Sequence, residues 1–134
     1  LNVVAAVIVD KNKVFAASRG YGKYKGWWEF PGGKIEKNET PQQALMREMK
    51  EELDVTVKVG RLIKTVEYDY EDFHLSMKCY YATILQGNIK LVEALESRWL
   101  SLNELDNVKW LPADKMILED IANGIHNANV LRKI

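Results

Sequence analysis

The chain opens on an unbroken apolar run. Residues 3–9 read Val-Val-Ala-Ala-Val-Ile-Val, the pattern of a strand buried on both faces. Asp10-Lys11-Asn12-Lys13 reads as a turn, and 14–18 as the returning strand. A Gly-, Tyr- and Lys-rich loop follows over 19–26, then a short strand, Trp27-Trp28-Glu29-Phe30, stopped by Pro31-Gly32-Gly33. At Thr40 the rhythm changes to the helical one. Thr40 can cap, Pro41 suits the first helical position and Gln43 completes a capping box, so a helix is expected to about Leu53. Two strands are expected over 56–70, with a bend, and 74–85, and a short one over 98–100. Residues 112 to about 122 read as a closing helix with Met116, Ile117 and Ile121 on its apolar side. No repeat, low-complexity stretch or linker interrupts the series. The expectation is an α/β (α+β) fold, a mixed sheet with helices packed on it, in a single domain over 1–134.

Composition bounds this picture without redirecting it. With 134 residues, 47% hydrophobic and 28% charged, the chain can bury a core without disulfide staples. Lys plus Arg and Asp plus Glu each number 19, so the formal net charge is zero. No global charge favours duplex nucleic acid or an anionic membrane, and no stable nucleic-acid complex is expected. A small phosphorylated ligand stays open, because local charge decides that. The single cysteine, Cys79, lies in a strand-like run and reads as a buried small hydrophobe rather than a reactive thiol. No apolar run reaches membrane-spanning length, and no signal-peptide cleavage pattern follows residues 3–9. Cytoplasmic location is the default expectation.

Charge patterning on the first helix supplies the candidate chemistry. Glu48, Glu51 and Glu52 stand at i, i+3 and i+4 and share one helical face, whereas Leu45, Met49 and Leu53 form a stripe about 120° away. Like charges at such spacing repel by a few tenths of a kcal/mol per pair. Arg47 and Lys50 offset part of this; a divalent cation would offset more, since hard cations prefer carboxylate oxygens. Alone, such a face is more often simply that of a solvated helix. The preceding Phe30-Pro31-Gly32-Gly33-Lys34 adds bare backbone that can approach a ligand or ion, and a point positive charge suited to phosphate.

Gly33, five residues, Glu39, seven residues, then Arg47-Glu48-Met49-Lys50-Glu51-Glu52-Leu53-Asp54-Val55 resembles the box of the Nudix hydrolase family, G-x5-E-x7-R-E-U-x-E-E-x-G-U with U aliphatic. One position departs: Asp54 replaces the family's Gly. Asp tolerates a left-handed backbone better than most residues, so the helix is expected to end in that conformation at modest cost. The resemblance implies a mixed sheet sandwiched between helices and a metal-dependent pyrophosphohydrolase. It implies Mg2+ as cofactor, with Mn2+ as an alternative, held by Glu51, Glu52, the Gly32 carbonyl and Glu48, the last either a ligand or the general base. Arg47 is implied to orient a glutamate by ion pairing, and Gly33 and Glu39 to organise the loop. Residues 30–36 and the downstream Trp99 resemble the MutT branch, which hydrolyses nucleoside triphosphates. Glu93, six residues before Trp99, matches the offset of a distant MutT glutamate that binds metal or acts as base; its other reading is a solvated loop acid.

Substrate choice rests on fewer residues. Arg19 ends the second strand where MutT-like enzymes place an arginine near base or sugar; the other reading is a surface arginine. Glu29 and Lys34 join it as candidate substrate contacts. Trp27, Trp28, Phe73 and Tyr80 can stack on a base, core packing being the plainer reading of each. Asp114 matches the place where MutT has an Asn that reads oxidised guanine. An ionised Asp only accepts, so it loses one of the two bonds an amide makes to 8-oxoguanine. It can accept from a cytosine N4 amine instead, and related CTP pyrophosphohydrolases resemble this chain at Pro112-Ala113-Asp114. Asp114 can also pair with the N1–H and N2–H of guanine, or merely cap the last helix. The expectation is hydrolysis of a (d)NTP to (d)NMP and pyrophosphate in nucleotide-pool sanitation, with (d)CTP first and 8-oxo-dGTP, the MutT-type DNA-repair substrate, second. Alternatives are a Nudix enzyme acting on ADP-ribose, dinucleoside polyphosphates or capped RNA, and a non-catalytic nucleotide-binding module. Monomer and dimer both fit.

Overall fold

Strand β1 (Asn2–Asp10) is the axis of the fold. The computed structural model describes residues 1–126, so 127–134, the end of the expected single domain, lie outside the described residues. Along β1, Ala5, Val7 and Val9 face one core while Val4, Ala6 and Ile8 face the other. This is why the run carries no polar residue. The neighbours follow as β2 (Lys13–Ser18), β3 (Trp28–Glu29), β4 (Gly32–Lys34), β5 (Thr56–Asp69), β6 (His74–Gln86) and β7 (Ser97–Leu100). They form one mixed sheet in the order β3-β2-β1-β6-β5, with β4 paired to β1 and β7 to β2. β1 runs parallel to β6 and antiparallel to β2 and β4. Lys11 and Asn12, both at positive φ (50° and 62°), make the tight β1–β2 turn. Register shifts between Val59 and Lys64 supply the expected bend in β5.

Helix α1 (Pro41–Leu53) covers one face of the sheet through Ala44, Leu45, Met49 and Leu53. Helices α2 (Pro112–Lys115) and α3 (Leu118–His126) cover the other through Ala113, Ile117, Ile121 and Ile125. A short 3-10 turn, Leu102–Asn107, precedes them. The sheet is thus sandwiched between helices, as expected.

Two expectations need correction. The strand before Pro31 does stop, at Glu29, but Gly32–Lys34 then forms a strand that was not expected: its backbone pairs with Val3, Val4 and Ala5. The closing helix is two helices. Met116 and Ile117 donate to carbonyls three residues back (Ala113, 3.2 Å; Asp114, 3.2 Å), which tightens the turn and restarts the helix. The apolar stripe then follows Ile117, Ile121 and Ile125, and Met116 is left 42% exposed.

The ends of α1 are as the sequence implies. Thr40 Oγ1 accepts the Gln43 N–H at 3.1 Å while Gln43 Oε1 accepts the Thr40 N–H at 2.9 Å. Asp54 closes the helix in the left-handed region (φ 57°, ψ 39°) and pairs with Lys50 at 3.2 Å. That pair is exposed and contributes little, so Asp54→Gly is expected to relieve the backbone and stabilise the fold by about 0.5 kcal/mol. Chemical denaturation checks this; a loss of stability on substitution contradicts it.

Candidate active site

Burial of apolar side chains on α1 aims the next face of the helix, with its acids, at β4. The two elements approach so closely that any Cβ on Gly33 would collide with the Glu48 carboxylate. Arg47 closes this junction with all five of its N–H donors. Nε and Nη2 grip Glu39 (2.8 and 3.0 Å), Nη2 also reaches the Lys34 carbonyl (2.9 Å), and Nη1 reaches Glu48 (3.0 Å) and Glu51 (3.2 Å). Glu39 in turn accepts the Glu36 N–H at 2.9 Å. The Arg47 guanidinium and that backbone bond hold the Glu39 carboxyl at about 2. The same ion pairs raise Arg47 further above its ordinary value.

The three helix acids are not equivalent. Glu51 is 60% exposed and Glu48 19% by side chain. Burial raises Glu48, with Arg47 opposing. Glu52 has no such cation among the described residues: burial first, then the charges of Glu29 and Glu48, push it up to about 8, while a Gly32 backbone N–H opposes them; Glu93 adds to the rise.

These groups line a cleft of about 630 Å³. Its acidic end holds Gly32, Gly33, Glu48, Glu51, Glu52 and Glu93, with Lys34 at the rim. Its other end holds Arg19 and Asp114, and Glu29 lines the cleft as well. Of the residues singled out from sequence, Arg47 and Glu39 stand behind the wall rather than on it. Arg19 meets Glu29 in a two-bond pair at 2.7 and 3.0 Å. Glu29 thereby sits between the two ends, since its charge bears on both Glu52 and Asp114.

Asp114 is 4% exposed and does not cap a helix: the cap position of α2 is Leu111, and Asp114 Oδ1 accepts the Phe30 N–H at 2.9 Å. Burial, then Glu29, push its carboxyl up to about 8, against the Phe30 N–H and Arg19. The premise of an ionised, accept-only Asp114 is therefore corrected. A neutral carboxyl carries one O–H donor beside an acceptor, as an amide does.

Of the four aromatics proposed to stack, only Phe73 lines the cleft. Trp28 and Tyr80 are buried in the two cores, and Trp27 lies under the Lys109 ammonium at 4.0 Å. Sequence reasoning passed over Tyr70 and Tyr24, which line the cleft with Phe73: Tyr70 stacks on Phe73 (5.2 Å between ring centres) and meets Tyr24 edge to face (5.7 Å). The aromatic density of Tyr68, Tyr70 and Phe73 around a hairpin tip was the available signal. Cys79 is fully buried and pushed up to about 12, an inert thiol.

The donor set fits a hard divalent cation. Glu52 is a desolvated carboxylate beside three further acids, and bare backbone at Gly32 and Gly33 leaves room beside it. Among the described residues no three His, Cys, Asp or Glu side chains close into a complete cage. Mg2+ does not require one, because it keeps waters and shares its shell between one or two carboxylates and substrate phosphates. No helix among the described residues is long and apolar enough to cross a membrane.

Comparison with known proteins points the same way. The NUDIX domain pattern matches residues 1–132. The chain is 46% identical over 85 residues to the 8-oxo-dGTP diphosphatase of Proteus vulgaris, covering 62% of this chain and 76% of that protein. It is 31% identical to the CTP pyrophosphohydrolase of Escherichia coli (strain K12), over 89% of each chain. Its fold superposes on the MutT NUDIX hydrolase of Burkholderia pseudomallei with a TM-score of 0.82, at 25% identity, covering 89% of this chain and 95% of that one.

The raised acids set the pH dependence of the metal-free fold. Glu52 and Asp114 rise from 4.5 and 3.8 to about 8, so the folded state holds protons that the unfolded state has released. Stability falls as pH rises through that window. With chelator present, Tm is expected to be about 5 °C or more lower at pH 8 than at pH 5, and Glu52→Gln to flatten the profile. A metal-free Tm that rises from pH 5 to pH 8 contradicts this assignment.

Proposed function

The chain belongs to the NUDIX family, and from that premise we propose that it hydrolyses a (deoxy)nucleoside triphosphate to the monophosphate and pyrophosphate, with Mg2+ as cofactor and Mn2+ able to substitute. The observation that carries this reading is the desolvated, cation-free Glu52 among Glu29, Glu48 and Glu93 at one end of a nucleotide-sized cleft. Glu48, Glu51, Glu52, Glu93 and the Gly32 carbonyl are the groups that would hold the cation. When bound, it neutralises phosphate charge and acidifies water. Lys34 binds a phosphate oxygen at the rim. Arg47 fixes the Glu48 carboxylate in place, and Glu48 accepts the proton of the attacking water, its basicity raised by burial. Water oxygen bonds to an inner phosphorus, the bridging P–O bond breaks, and pyrophosphate leaves. Tyr70 and Phe73 supply the stacking wall for the base.

The neutral Asp114 reverses the order of bases expected from sequence. With Oδ1 held by Phe30, an Oδ2–H can donate to the O6 of 8-oxoguanine, the bond an ionised Asp cannot make. An oxidised purine nucleotide such as 8-oxo-dGTP is therefore the first choice, in nucleotide-pool sanitation. A cytidine nucleotide is the second, supported by the relative named CTP pyrophosphohydrolase, which is 31% identical.

Glu52→Gln is expected to cut Mg2+-dependent pyrophosphate release by at least about a thousandfold while the circular dichroism spectrum stays native; full activity refutes the site. For the base, kcat/KM for 8-oxo-dGTP is expected to fall as pH passes about 8, where Asp114 ionises. Asp114→Asn should keep the activity and lose that alkaline limb. A preference for CTP at pH 7 that survives Asp114→Asn overturns the assignment.

A further inference from the structure

One buried polar side chain has no part in the chemistry above. Ser18, at the end of β2, is 2% exposed. Its hydroxyl accepts the Glu96 N–H at 3.1 Å and reaches the Glu96 carbonyl at 3.4 Å. Its backbone adds two bonds to the same segment, Ser18 N–H to Glu96 O (2.9 Å) and Leu95 N–H to Ser18 O (3.2 Å). A buried hydroxyl costs desolvation unless it is bonded; here both its partners are backbone atoms of the loop between β6 and β7.

That loop carries Glu93 into the acidic end of the cleft. It is tied at its other side to the end of α1, where the Lys90 N–H donates to the Leu53 carbonyl at 2.9 Å. Ile89 and Ala94 pack against the α1-side core on either side of Glu93. Gly20, two residues beyond Ser18, lies so close to the Glu93 carbonyl that a Cβ there would collide with it. The side chain of Glu93 is exposed and, among the described residues, makes no bond that would fix its position by itself.

We propose that Ser18 is a positioning residue for Glu93: its hydroxyl clamps the Glu96 peptide, and with the bare backbone of Gly20 it sets where the loop delivers the Glu93 carboxylate to the cleft. This rests on Glu93 acting in the metal site. The reason is geometric. A carboxylate on an irregular loop has no regular hydrogen-bond ladder behind it, and ligand groups held by a fixed outer partner bind metal more tightly than groups held loosely.

The test is a double-mutant cycle on the full chain, with Ser18→Ala, Glu93→Gln and their combination. Two quantities are read: Mg2+-dependent pyrophosphate release, and the affinity for Mn2+ alone followed by electron paramagnetic resonance. Ser18→Ala is expected to lower kcat/KM roughly tenfold and to weaken Mn2+ binding several-fold in the parent chain. In the Glu93→Gln background it should change neither by more than about twofold. Ser18→Thr, which keeps the hydroxyl, should recover most of the loss. Gly20→Ala pushes on the Glu93 carbonyl of the same loop and should show the same dependence on the Glu93 carboxylate, which keeps the test open if Ser18→Ala folds poorly. A Ser18→Ala loss that persists in full without the Glu93 carboxylate overturns the proposal, as does a Ser18→Ala enzyme with parental rate and Mn2+ affinity. A fully active Glu93→Gln overturns it too, yet leaves the hydrolase reading to Glu52→Gln, so the two failures are distinguishable.

Discussion

The site depends on the Arg47 guanidinium. It spends every donor on the junction between α1 and the 32–39 segment, and three carboxylates plus one carbonyl accept them. Single exposed ion pairs contribute little. A planar guanidinium with two parallel bonds to Glu39 and further bonds around it is a different case, because its geometry is fixed as well as its charge. Remove it and Glu39, Glu48 and Glu51 repel one another where Gly33 meets Glu48 without a Cβ between them. The compensation stops at Glu52, which faces the cleft with acids around it and no cation among the described residues. One half of the acid cluster is thus neutralised from within the chain, and the other half is left for an ion from outside.

The cleft is also electrically continuous from end to end. Glu29 raises both Glu52 and Asp114, and is itself held by Arg19. A cation at Glu52 would withdraw part of the negative potential that Asp114 feels through Glu29. On the proposed reading, base recognition and metal binding are therefore not independent: the protonation of Asp114 belongs to the charge balance of the whole cleft.

Local chemistry was the legible part of the sequence. The Thr40–Gln43 capping box, the apolar stripe of α1, the left-handed Asp54 and the doubly buried β1 are all written in neighbouring residues, and each is found where it was expected. The failures share one cause, that the partner lies far along the chain. Gly32–Lys34 has no strand propensity of its own and becomes a strand only because β1 lies beside it. The break at Met116 carries no Gly or Pro, and the tighter turn follows the direction in which Ile117 must point. Trp28 and Tyr80, by contrast, pack in the two cores, the plainer reading of each. Asp114 reads as an anion until burial and Glu29 protonate it. The candidate acids were legible because their spacing is helical; the state of each was not, because it is set by tertiary neighbours.

On the proposed reading, the acidic end of this cleft holds a divalent cation through α1 carboxylates in the presence of a nucleotide. This is tested most directly by a crystal structure with Mn2+ and a non-hydrolysable nucleoside triphosphate analogue, the ion located by its anomalous scattering. The account predicts Mn2+ within about 2.3 Å of oxygens of Glu52 and at least one further acid among Glu48, Glu51 and Glu93, bridging to the phosphates. Mn2+ held by the phosphates alone, with the Glu52 carboxylate still buried and untouched, would contradict it.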